Sequence, residues 1–121
     1  LNEVNKLETV RLYRIDTPEM KGSLWPYQPY ANESRIALYN LCNGKVATVV
    51  RKSKSYSRTV GEVSCQGTST VDYMILTGNA WVYRYTTTKT LNLMQATAKA
   101  KNLGLWAMPA VEPYLWRKGV R

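Results

Sequence analysis

The chain contains no histidine. Imidazole chemistry is therefore excluded: no Ser-His-Asp or Cys-His nucleophile system can be built, nor a zinc site that needs a ring nitrogen. Acid/base work near neutral pH falls to carboxylates, Lys, Tyr, Cys or metal-bound water. Acids are scarce as well. Eight Asp and Glu stand against seventeen Lys and Arg, for a net charge of +9. That excess favours a polyanionic partner, nucleic acid first; an anionic membrane surface or plain solubility would account for it as well. No run of eighteen or more apolar residues occurs, so no segment reads as a membrane span. No signal peptide opens the chain, although a mature secreted form would have lost one. The 121 residues suit one domain, 1–121, with apolar content sufficient for a single core.

What the chain does have is concentrated early. RLYRIDTPEM, residues 11–20, holds two arginines and two of the eight carboxylates. The stretch starts like a strand and ends like a turn, because Thr17-Pro18 removes a ladder donor and biases the preceding residue. Residues 1–16 read as a hairpin, with Leu1–Val4 and Leu7–Asp16 as its strands and Asn5-Lys6 as the turn. Within the second strand Val10, Leu12 and Arg14 are expected on one face, and Arg11, Tyr13 and Ile15 on the other. A loop follows over 20–29, pinned by Trp25, Tyr27 and Tyr30.

Ala31, Ser34, Leu38 and Leu41 recur at helical spacing, and Asn43-Gly44 supplies the stop. The β-branched run 45–51 predicts a strand, and 58–65 predicts an antiparallel partner for it. Gln66-Gly67 turns the chain, and Ser69 or Thr70 caps a second helix that buries Val71, Met74, Ile75 and Gly78. WVYRY at 81–85 is expected to be extended. A last helix over 91–102 buries Leu91, Met94 and Ala98, with Gly104 as its stop. Short strands interleaved with single helices suit a small barrel carrying helices better than a parallel sheet.

Phosphodiester hydrolysis makes specific demands on such a chain. Negative charge gathers on equatorial oxygens in the transition state, and guanidinium forks match that geometry. A carboxylate must orient or deprotonate water, and oxygen ligands hold a hard divalent cation. Arg11, Asp16 and Glu19 could supply one guanidinium, one metal ligand and one base from a single strand-turn unit, with Arg58 as a second guanidinium. The bland alternative is a set of solvated strand-end salt bridges worth little to stability.

The motifs bear on that choice. VRLYRIDTPE at 10–19 resembles the R-x-x-x-x-D-[TA]-P-E signature of the staphylococcal-nuclease-like (thermonuclease) family. SYSRTVGEV at 55–63 resembles the family's D-x-Y-G-R strand start. VDYMILTGNAWVY at 71–83 is similar to its V-N-x-x-L-V-x-x-G-x-A-W-V-Y stretch. AKAKNLGLW at 98–106 is similar to its A-x-x-x-x-x-G-L-W ending, and PYLWRK at 113–118 to a tail common in bacterial members.

The resemblance implies a mainly β, α+β fold: a five-stranded oligonucleotide-binding barrel with three helices. It also implies Ca²⁺-dependent hydrolysis of DNA and RNA phosphodiesters; the leading reading is a sugar-nonspecific nuclease, expected to be a monomer with no membrane partner. Arg11 matches the family's first catalytic arginine, Glu19 its catalytic carboxylate and Arg58 its second arginine. Asp16 matches a calcium ligand, and Thr17 the neighbour whose backbone oxygen faces the metal. Tyr56 takes the place of a phosphate-contacting tyrosine, and Tyr83 and Tyr85 lie near base-stacking positions.

There are departures. The family's first metal carboxylate belongs to a D-G-D-T-like strand, and this sequence begins after the place of that strand. Either the natural N-terminus extends beyond Leu1, or a strand and a ligand have been lost; the first reading is favoured because a lost central strand would leave a ladder unpaired. Ser57 stands where the family has glycine, Asp72 where it has asparagine, and Gln95 and Lys99 depart from common charges. An inactive module that binds nucleic acid or protein is the alternative function, and a nuclease of a plasmid-maintenance or DNA-transfer system is a further one.

Cys42 closes the first helix, and Cys65 ends the strand expected beside the one starting near Lys45. An antiparallel pairing brings the two sulfurs within bonding reach. The other reading is two free thiols in a reducing compartment. A disulfide suits a secreted or bacterial periplasmic enzyme, in agreement with the resemblance.

Overall fold

Arg14 interrupts the strand that reads from the sequence as continuous to Asp16. Its φ of 69° is left-handed, a region non-glycine residues seldom enter. The computed structural model, which describes residues 8–19, 28–55 and 58–120, therefore has two short strands here. They are β1 (Val10–Leu12) and β2 (Ile15–Asp16), separated by a turn at Tyr13-Arg14. The turn resets the alternation of faces. Leu12 and Ile15 now both pack on the core, rather than on opposite faces, while Arg11, Tyr13 and Arg14 line a cleft. The expected first strand at Leu1–Val4, and Trp25 and Tyr27, lie outside the described residues.

The β-branched runs form as expected, though the first lies further along the chain. β3 is Ala47–Ser55, beyond the expected 45–51, and β4 is Arg58–Cys65. The two pair antiparallel from Ala47 opposite Cys65 to Ser55 opposite Arg58, with a bulge between Arg51 and Ser53. β1 joins the other side of β4 in parallel, Val10 opposite Thr59, and β5 (Thr68–Ser69) pairs antiparallel with β4. β2 pairs antiparallel with β6 (Trp81–Val82) in a separate two-stranded sheet. Among the described residues neither sheet closes into a barrel, so the fold is α+β with two open sheets.

Helix α1 (Ala31–Cys42) buries Ala31 and Ser34 and leans Leu38 on the core. Ser69 caps α2 (Thr70–Leu76): its side chain accepts the Asp72 N–H at 3.3 Å, satisfying one of the free donors of the first turn. α2 packs against β4 and against α3 (Lys89–Ala100). Val71, Met74, Ile75, Ala80, Val82, Leu91 and Ile15 form the core between them. WVYRY is extended only over Trp81–Val82; the chain then turns, with the Thr86 N–H donating to the Tyr83 carbonyl.

Two further differences come from packing. α3 ends two residues early, and the left-handed residue that follows its C-cap is Asn102 (φ 53°); Gly104, left-handed as well (φ 51°), lies two residues further on. Gly104 opens a 3₁₀ turn (Gly104–Ala107) and crosses Gly78 so closely that a Cβ on Gly104 would lie 2.3 Å from the Gly78 carbonyl oxygen. A fourth, short helix α4 (Pro113–Arg117) adds to the three expected, with Pro113 at its first position and Pro113 and Trp116 buried.

Cys42 and Cys65 are joined in a disulfide, Cα atoms 5.2 Å apart. The register that sets Cys65 opposite Ala47 carries it back toward the end of α1.

Candidate active site

The Tyr13-Arg14 turn does more than break a strand. It swings the chain from the side of β4, where Arg11 sits, to the side of β6, where Asp16 sits. The Tyr83 N–H then donates to the Arg14 carbonyl at 2.9 Å, extending the β2–β6 pairing toward the aromatic segment. The Gln95 side chain on α3 accepts the Val82 N–H at 2.7 Å and fixes that segment from behind. Pro18 is buried and ends β2, so Thr17 and Glu19 leave the sheet on a fixed path.

Arg11, Asp16, Thr17, Glu19 and Arg58 all line one cleft of about 560 Å³. The sequence-predicted catalytic and metal-binding residues are thus brought together, Arg58 from the start of β4 and the others from residues 11–19. A guanidinium nitrogen of Arg11 lies 3.6 Å from Asp16 Oδ1. Arg58 is exposed at the mouth of this cleft, and no carboxylate among the described residues pairs with it.

Arg117, to which the sequence reading assigned no role, lines the same cleft. Its Nη2 lies 3.6 Å from Asp16 Oδ2, and its Nη1 donates to Glu19 Oε2. Ninety-eight residues separate Arg117 from Glu19, and no local signal announces such a contact. The tail motif PYLWRK was the one available hint. Asp16 is the least exposed of these ion-paired side chains, at 11 %. Burial pushes its carboxyl above the ordinary value, and the neighbouring Glu19 charge adds to that, while Arg117 and then Arg11 pull it back down.

Tyr83 and Tyr85 fall in a second cleft of about 820 Å³, beside Arg14 and Thr88, with Arg11 and Arg117 common to both clefts. The two rings meet edge to face at 5.6 Å, and the Arg11 guanidinium stands 5.7 Å from the Tyr83 ring centre. Arg14 fixes the far wall, donating to Glu62 at 2.9 Å and to Thr88 Oγ1 at 3.2 Å. Arg84 lies over both Tyr85 and Tyr114, at 4.6 and 4.0 Å from the ring centres. Tyr56 lies outside the described residues.

The donor set bears on the metal. Asp16, Glu19 and the Thr17 carbonyl offer hard oxygens, which suit a hard cation such as Ca²⁺ and not a zinc that wants nitrogen or sulfur. Among the described residues no group of three or more Asp, Glu, Cys or His gathers. A cation held here would keep much of its coordination shell as water.

An α+β scaffold thus sets two carboxylates among three arginines, beside a wall of tyrosines. The chain belongs to the staphylococcal nuclease homologue family, whose profile matches residues 9–108. It is 35 % identical over 115 residues to the staphylococcal-like nuclease CAN1 of Arabidopsis thaliana, covering 93 % of this chain and 34 % of that protein. The probable staphylococcal-like nuclease CAN3 of Oryza sativa subsp. japonica is also 35 % identical over 115 residues, covering 93 % of this chain and 29 % of that one. An uncharacterized protein of Bacillus anthracis is 28 % identical over 117 residues, covering 89 % and 55 % of the respective chains. The chain spans about a third of the length of the plant relatives.

Proposed function

We propose that this domain is a Ca²⁺-dependent nuclease that hydrolyses phosphodiester bonds in both DNA and RNA. The observation that carries the reading is the single cleft lined by Arg11, Asp16, Glu19 and Arg58. Binding alone has no need of a carboxylate beside two phosphate-directed forks. Asp16 and the Thr17 carbonyl would hold the metal, which supplies positive charge to the phosphoryl group when bound. Glu19 accepts a proton from the attacking water as its oxygen bonds to phosphorus. Arg11 and Arg58 hold the non-bridging oxygens as charge develops and the bond to the leaving sugar oxygen breaks, the departing oxygen taking up a proton from solvent water. Tyr83 and Tyr85 line the adjoining cleft and offer rings on which bases stack whatever their identity, which supports a broad substrate range.

The Cys42–Cys65 disulfide supports action in a secreted or periplasmic compartment, where such a bond persists. The domain acts as a monomer in this reading. No helix among the described residues is long and apolar enough to cross a membrane.

The pairing of both carboxylates with arginines favours a second reading, in which the same surface binds nucleic acid without cutting it. One assay separates the two. Plasmid DNA and a structured RNA are incubated with the protein in Ca²⁺ and in chelator; degradation of both substrates in Ca²⁺ alone is expected. Tight binding with no cleavage under either condition establishes the binding module instead.

A further inference from the structure

We propose that Arg117 is a positioning residue of the hydrolytic site, holding the Glu19 carboxylate in a fixed place relative to Asp16. The proposal rests on the nuclease reading above. Its first support is the fork itself, which spans the two acids, one terminal nitrogen on Glu19 and the other 3.6 Å from Asp16. A planar guanidinium can hold two carboxylates at a set separation; an ammonium is a point charge and cannot.

The second support is the division of labour among the arginines. Asp16 has Arg11 on its other side, whereas Arg117 is the one ion-pair partner of Glu19 among the described residues. Glu19 sits beyond the end of β2, with no ladder to hold it. Its side chain therefore depends on a contact brought from elsewhere.

The third support is that α4 does not need the ion pair to stay docked. Pro113 and Trp116 are buried beneath it. Gln28, 3 % exposed, donates its side-chain amide to the Val111 carbonyl just before the helix, and its side-chain oxygen accepts the Glu19 N–H at 2.9 Å. One buried side chain thus ties the Glu19 backbone to the strand of chain that delivers Arg117. The backbone of Glu19 and the origin of Arg117 are set by the same bridge, and the ion pair spans the gap between them. A contact with no anchoring duty, aimed at the carboxylate of the cleft, is what a positioning residue requires.

The test uses the whole protein, with Arg117→Gln and Arg117→Lys, on a synthetic single-stranded oligonucleotide in Ca²⁺, beside thermal melting of each variant. Loss of alignment at a reacting group costs up to about 10²-fold. The expected result for Arg117→Gln is a fall in kcat of about 10- to 100-fold with KM within about twofold. Arg117→Lys should recover only a small part of that, and both variants should melt near wild type. A kcat within twofold of wild type in both variants overturns the proposal. So does a rise in KM at unchanged kcat, which would make Arg117 a substrate contact, or failure of both variants to fold, which would make it an anchor. Absence of Ca²⁺-dependent cleavage by wild type is a separate outcome: it removes the nuclease reading and the proposal with it.

Discussion

Gln28 and Glu19 are joined twice through the main chain of Glu19. The Gln28 N–H donates to the Glu19 carbonyl at 3.0 Å, and the Gln28 side-chain oxygen accepts the Glu19 N–H at 2.9 Å. Both polar backbone groups of a carboxylate-bearing residue at the mouth of a cleft are thereby satisfied by one neighbour nine positions along the chain. The remaining Gln28 amide reaches Val111, so the same buried side chain also fastens the C-terminal segment. A buried polar group bonded at both its oxygen and its nitrogen rigidifies what it touches.

Gln28→Leu should therefore damage both stability and rate. It strips a partner from the Glu19 N–H and from the Val111 carbonyl, a loss of about 2 kcal/mol for unsatisfied groups of this kind. Glu19 becomes free to shift, so kcat should fall more than KM. Chemical denaturation beside steady-state kinetics measures both; unchanged stability with unchanged kcat contradicts the bridging role.

Gly78 and Gly104 cross with no room for a side chain. A Cβ on Gly78 would lie 2.2 Å from the Leu103 carbonyl oxygen, and φ is 75° at Gly78 and 51° at Gly104. Gly104→Ala should cost about 3 kcal/mol or more, since a left-handed alanine and a backbone overlap add. Gly67 provides the control: its φ is 85°, yet nothing lies within 4 Å of its Cβ position. Gly67→Ala should cost only the strain, about 1 kcal/mol. Equal losses in the two variants, read from thermal melting, would show that the crossing contributes nothing.

Asp16→Asn should abolish cleavage and yet raise the melting temperature at pH 7. Burial raises the folded-state pKa of Asp16 above its ordinary 3.8, so the ionised form is penalised on folding. The penalty is fully present above the raised folded value. It fades as pH falls from there toward 3.8, where both states take up the proton. The stability gap between mutant and wild type should close over that window. Melting curves across the acid range give the answer, and a mutant less stable than wild type at pH 7 overturns it.

Arg58→Lys should impair catalysis far more than folding. Arg58 is exposed at the start of β4 and pairs with no described carboxylate, so stability has little stake in it. Lysine keeps the charge and loses the two-pronged contact with phosphoryl oxygens. Turnover should drop about 10²- to 10³-fold, the usual loss for one well-placed electrostatic donor, with melting unchanged. Near-normal turnover on a synthetic oligonucleotide would return Arg58 to the solvated surface.

Reduction should loosen the molecule. The Cys42–Cys65 bond closes a sequence separation of 23, a loop that leaves the end of α1 and runs through β3 and β4. By the chain-entropy account its loss costs roughly 3 kcal/mol. Melting with and without a reductant measures this, and mass spectrometry of alkylated protein under non-reducing conditions should find no free thiol. Two alkylated cysteines in protein from an oxidising compartment would refute the bond.

Local chemistry is legible in this chain. β-branched runs, a Ser cap, an Asn-Gly stop and a helical apolar stripe each act within a few residues, so β4, α1, α2 and the Cys42–Cys65 pairing can be read from the residues alone. The clustering of Arg11, Asp16 and Glu19 is legible for the same reason, since so short a stretch of chain cannot separate them far. What could not be read depends on packing between distant segments. Arg14 adopts a left-handed turn because Leu12 and Ile15 must both reach one core, and a strict strand alternation would have put them on opposite sides. Asn102 ends α3 in place of Gly104 because the crossing with Gly78 claims the glycine, a demand set by a residue twenty-six positions earlier. Arg117 reaches Glu19 across ninety-eight residues because Gln28, Pro113 and Trp116 dock the tail beside the cleft. Composition and periodicity carry the preferences of each segment; which side chains then meet is settled by how the segments share one buried volume.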